Sequence, residues 1–140
     1  MMVSPKDTDL IIPDHLSYNK EDPSFRLWYV MKLKRIVIGN HCFTKTRLFE
    51  LDGLSQLESI VIGQYSFGSY YLSQMRETKG CYRILNCPKL KSIQIGSESF
   101  SNNYLFKLKN LPSLQSIQMG NDCFCKTSCF SLTGWIAQLI

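Results

Sequence analysis

The chain has 140 residues, 44% of them apolar and 19% charged, with a formal net charge of +5. That balance supplies enough apolar surface for one domain with a sizeable core and excludes a chain that is disordered by composition. No run of about 18 apolar residues occurs, so no helical membrane span is expected.

Residues 1–24 carry five acids (Asp7, Asp9, Asp14, Glu21, Asp22) against two lysines, minus three, which leaves the rest with fourteen bases and six acids, plus eight. The opening MMVSPKDTDLIIPDHL mixes acids and prolines into the place where a secretory signal needs an apolar stretch. A cytoplasmic chain with six reduced cysteines is therefore expected. The segment reads either as a flexible leader or as an N-terminal cap, the latter favoured by Leu10–Ile12.

From Phe25 onward the sequence repeats itself. Leu33, Leu57, Leu90 and Leu114 are each followed by an isoleucine three residues on (Ile36, Ile60, Ile93, Ile117) and, two further, by Ile38, Ile62, Ile95 or Met119. A glycine comes next each time (Gly39, Gly63, Gly96, Gly120), then an aromatic column, Phe43, Phe67, Phe100 and Phe124. A second half-unit has its own columns: Phe25, Phe49, Tyr82, Phe106, Phe130; then Leu27, Leu51, Ile84, Leu108, Leu132; then Val30, Leu54, Cys87, Leu111, Trp135. Consecutive leucines stand 24, 33 and 24 residues apart, so one unit holds an insertion, YYLSQMRETKG at 70–80, expected as a projecting loop.

In RIVIG and SIQIG the apolar, β-branched residues alternate with period two, the pattern of a strand with one buried face; FEL and FKL alternate likewise. Each unit thus predicts two short strands joined by bends, with little helix. A single unit has no partner for its apolar face, whereas stacked units build a continuous core. The prediction is a β-rich repeat solenoid of about four coils, roughly 20 Å tall at about 4.8 Å per coil, with residues 1–24 as leader or cap and 25–140 as the solenoid.

The segment LPSLQSIQMGNDCF at 111–124 resembles the strand segment of a leucine-rich repeat, LxxLxxLxLxxNxL, with Leu111, Leu114, Ile117, Met119 and Phe124 in the apolar places. The resemblance covers about 25–135 and is similar to the irregular arrays of some microbial surface and protist proteins. It departs at the family's asparagine, where this chain has His41, Tyr65, Glu98 and Asp122. The resemblance implies that an asparagine ladder satisfies backbone groups at the bend; here another device is required, and Gly39 and its equivalents are the candidates.

No catalytic, cofactor or metal site is predicted. His41 adjoins Cys42, but sequence neighbours at a bend face apart, and His41 reads as a bend cap. Cys123, Cys125 and Cys129 are spaced by two and four without a second pair at zinc spacing; column positions (Cys42, Ser66, Ser99, Cys123; Leu48, Cys81, Leu105, Cys129) account for them as small or apolar packing. Two outward faces remain. The first sheet presents Arg35, Ser59, Ser92, Ser116 and Val37, Val61, Gln94, Gln118, which the resemblance makes the recognition face. The second presents Arg26, Glu50, Arg83, Lys107, Ser131 and Trp28, Asp52, Leu85, Lys109, Thr133. The expectation is a non-enzymatic protein-interaction or scaffold module with an unidentified protein partner; the alternative is weak electrostatic binding of nucleic acid or another polyanion through Arg26, Arg83, Lys107 and Lys109. The uncharged tail WIAQLI at 135–140 adds an expectation of self-association through the C-terminal end.

Overall fold

A computed structural model describes residues 6–16, 24–28, 32–44, 46–67, 80–100, 103–123 and 129–136. The insertion at 70–80 lies outside them except for Gly80, as do Phe124, Cys125 and the tail from 137 on.

Among the described residues the period-two segments form ten strands: β1 (Asp9–Ile12), β2 (Ser24–Trp28), β3 (Arg35–Ile38), β4 (Leu48–Asp52), β5 (Ser59–Ile62), β6 (Gly80–Leu85), β7 (Ser92–Ile95), β8 (Asn103–Leu111), β9 (Ser116–Met119) and β10 (Cys129–Ile136). They alternate between two five-stranded sheets, β1-β3-β5-β7-β9 and β10-β8-β6-β4-β2, in which every neighbouring pair is parallel. The chain is therefore a β-solenoid, as its repeat requires. Because each unit returns to the same sheet one coil later, a residue pairs with its own column: Ile36 with Ile60, Ile60 with Ile93, Ile93 with Ile117.

Leu10–Ile12 do more than cover an end. They pair in register with Ile36–Ile38, so DLIIPDH repeats the pattern of RIVIGNH with Pro13 in the glycine place. At the other end one column differs from expectation. The pairing shifts between Thr133 and Ile136, and Ile136 rather than Trp135 meets Leu111.

Between the sheets the middle of the core is sealed: Leu33, Leu57, Leu90 and Leu114 have no exposed surface, and neither do Phe49, Phe67 and Phe100. Phe43, Phe67 and Phe100 stack face to face at 5.1 Å intervals, while Phe49, Tyr82 and Phe106 meet them edge on. Edge-to-face packing suits rings with negative faces and positive rims, and it locks the two sheets in one relative register.

The bends depend on left-handed backbone. His41, Tyr65, Glu98 and Asp122 have φ between 54° and 59° at the first bend, and Gly53, Asn86 and Asn110 have φ of 69°, 54° and 55° at the second. None of these residues is β-branched, as that conformation demands. The glycine column serves close approach instead: a Cβ at Gly63 would lie 2.6 Å from the Gly39 carbonyl, and one at Gly96 would lie 2.6 Å from the Gln64 nitrogen.

The device that pairs the backbone groups of the first bend is not the glycine column. It is the column expected to be plain packing. Ser66 Oγ donates to the Gly39 carbonyl at 2.9 Å and accepts from the Cys42 N–H at 3.1 Å; Ser99 Oγ donates to the Gly63 carbonyl at 2.8 Å and accepts from the Ser66 N–H at 3.1 Å. The thiols at the column's ends act similarly, Cys42 Sγ donating to the Pro13 carbonyl at 3.1 Å and Cys123 Sγ to that of Gly96 at 3.0 Å. Small polar side chains win here because the bend buries carbonyls that must be paired.

Candidate interaction surfaces

The odd-numbered sheet turns one side chain in two toward solvent. Its outward columns are Asp9, Arg35, Ser59, Ser92, Ser116 and Ile11, Val37, Val61, Gln94, Gln118, held side by side by the parallel register. Among the described residues of these columns only Asp9 and Arg35 are charged, and they pair with each other at 3.2 Å. Ile11, 61% exposed, extends the Val37 and Val61 column by one strand, making a three-residue apolar stripe flanked in register by Asp9, Arg35 and Ser59, with Gln94 next along the column. Ile11 was legible in DLIIPDH once Pro13 is allowed in the glycine place.

The even-numbered sheet has a different character. Arg26, Glu50, Arg83 and Lys107 fall in one register column, and Trp28, Asp52, Leu85 and Lys109 in another. Two of the four expected basic residues are engaged by neighbours. Arg83 pairs with Glu50 at 3.3 Å, and the Arg26 guanidinium lies 5.5 Å from the centre of the Trp28 ring. The Trp28 indole N–H donates to the other Glu50 oxygen at 2.7 Å, so an aromatic ring that is half exposed is held in place on the edge strand β2. Lys107 and Lys109 make no ion pair among the described residues. Further along this sheet Asn110 donates to Asn86, and Asn86 to Asp52, at 2.8 and 2.9 Å, a polar ladder along the second bend. The asparagines of this ladder signal themselves in sequence only as turn formers.

Comparisons with protein-family models, curated proteins and solved structures find no match to this chain. The surfaces therefore rest on their own chemistry.

The residues considered for catalysis are separated by the bend. The His41 ring is exposed and stacked between His15 at 5.0 Å and Tyr65 at 4.8 Å, forming a three-ring ridge outside the solenoid. Cys42 points inward with no exposed surface, and burial, the largest influence, pushes its thiol up. The two neighbours thus lie on opposite sides of the backbone. Among the described cysteines, Cys42, Cys81, Cys87 and Cys123 carry free thiols; the side chains of Cys125 and Cys129 lie outside the described residues, while the Cys129 backbone pairs with Leu105 as its column predicted.

Proposed function

We propose that the chain is a non-enzymatic interaction module of the leucine-rich-repeat kind, acting in the cytosol, that recognises a protein partner through the outer face of β1, β3, β5, β7 and β9. The observation that carries this reading is the Ile11–Val37–Val61 stripe on a low-relief, charge-balanced sheet face. A part-exposed apolar strip bordered by the Asp9–Arg35 pair, Ser59 and Gln94 combines desolvation at its centre with polar groups at its border, the distribution found in protein interfaces. The serine side chains of Ser59, Ser92 and Ser116 leave the backbone surface accessible to a flat partner. Lys107 and Lys109 on β8 favour a second reading, a salt-sensitive polyanion contact on the opposite face, to which Arg26 and Arg83 would add whatever charge their present partners release.

A photo-crosslinking residue placed at Val61 or at Lys109 distinguishes the two in extract of the source cell. We expect a discrete protein adduct from position 61 that is lost with Val37→Lys and persists at high salt. Adducts confined to position 109 that vanish with salt in the steep manner of counterion release would replace the first reading with the second.

A further inference from the structure

Among the described residues, β1 and β9 stand at the two edges of the odd-numbered sheet, and they are finished differently. In β3, β5 and β7 the inward columns are sealed, Ile36, Ile60 and Ile93 at 0–1% exposure and Ile38, Ile62 and Ile95 at 1–2%. In β9 the same columns open: Ile117 is only partly buried and Met119 is 50% exposed. At the opposite edge Leu10, like Ile117, is only partly buried, but Ile12 is 2% exposed where Met119 is half open, so the edges differ in that second column. Chemistry separates the edges further. β1 carries Asp9, is preceded by Lys6 and Asp7, and runs into Pro13 and Asp14, the charges and proline that blunt a sheet edge. Gln115–Asn121, QSIQMGN, contains no ionisable group and no proline.

The backbone of β9 points the same way. Ser116 and Gly120 donate their N–H groups toward β7, to the carbonyls of Lys91 and Ile95 at 3.2 and 2.9 Å. Alternation along a strand then directs the N–H groups of Ile117 and Met119 away from β7, across the outer edge.

We propose that β9 is a homotypic interface, pairing antiparallel with β9 of a second copy of this chain about a two-fold axis through Gln118. Register follows from the faces. Apolar columns must stay on the core side, so Ile117 of one copy sits opposite Met119 of the other. That pair exchanges both outward N–H groups with the facing carbonyls, while the two Gln118 residues form the closer, non-hydrogen-bonded pair. An uncharged edge meets itself without repulsion. A head-to-tail stack of β1 on β9 is disfavoured, because Pro13 stands where Gly39, Gly63, Gly96 and Gly120 each donate an N–H to the preceding strand, and the Met119 carbonyl would lose that donor. The two-fold arrangement also closes after two copies, whereas head-to-tail stacking polymerises.

Sedimentation equilibrium of the full chain at tens of micromolar tests the interface, with circular dichroism as the check on folding. The expected result is a dimer that does not grow, weakened about tenfold or more by Met119→Lys and by Met119→Pro. The proline removes an N–H that points away from β7 and leaves the β7–β9 ladder intact, so the monomer is expected to keep its fold. Ile11→Lys at the β1 edge is expected to leave dimerisation unchanged. Mild oxidation of the Gln118→Cys variant is expected to yield a covalent dimer beyond the background of the unsubstituted chain. A monomer throughout, open-ended polymerisation, or a dimer indifferent to both Met119 variants would overturn the proposal.

Discussion

At the residue scale, Tyr82 shows how one atom adapts the repeat to its insertion. It occupies a column otherwise filled by phenylalanine, in the unit lengthened by nine residues, and its ring is 1% exposed. The hydroxyl lies 3.0 Å from the Thr46 carbonyl and 2.9 Å from that of Phe67, bridging the chain just before the insertion to the preceding bend. Gly80 leaves it room, since a Cβ there would sit 2.8 Å from that oxygen. Tyr82→Phe keeps the ring packing and removes the single O–H shared between the two carbonyls, so we expect a loss of about 1–2 kcal/mol in chemical denaturation with an unchanged slope. No change in the midpoint would mean that water satisfies both carbonyls.

At the element scale, the first bend is held by the Ser66 and Ser99 hydroxyls rather than by any feature of the strands it joins. Each hydroxyl accepts an N–H from the preceding coil and donates to that coil's glycine carbonyl, so removing one leaves two buried groups unpaired. Ser66→Ala is expected to cost about 2 kcal/mol or more, whereas Cys42→Ser, whose hydroxyl can take over the bond to Pro13, is expected to change stability by less than about 1 kcal/mol. Equal effects of the two substitutions in the same denaturation experiment would show that the column serves packing alone. The strands themselves need no such support. Their β-branched, period-two segments bury one face wherever a neighbouring coil supplies the other half of the core.

At the scale of the whole molecule, the columns merge into one apolar cluster reaching from Ile12 to Leu114, and a charge created inside it is opposed by the entire fold. Cys87 lies in that cluster, and burial, the largest influence, pushes its thiol from the ordinary 9.0 up to about 11. The folded state thus favours the protonated thiol. Its contribution is complete below about pH 9, is lost as pH rises toward about 11, and amounts to roughly 2–3 kcal/mol across that window. Urea midpoints measured from pH 8 to 11 are expected to fall more steeply for the wild type than for Cys87→Ala. Parallel slopes would place the alkaline sensitivity elsewhere.

The amino-acid sequence determined the solenoid, the alternation of two sheets and the register of nearly every column, from Phe25 paired with Phe49 to Leu108 paired with Leu132. It did so because a translational repeat converts spacing along the chain into position in space: residues one period apart must lie one coil apart. Tertiary structure alone decided what happens across that period. Ser66 finds the Gly39 carbonyl 27 residues upstream, Trp28 and Arg83 share Glu50, and Ile136 takes the place beside Leu111 that spacing assigned to Trp135. These outcomes depend on side-chain direction, on which buried carbonyl lacks a partner and on how the last coil meets its neighbour. None of those quantities is periodic in the sequence, and so the columns were legible while the bonds between them were not.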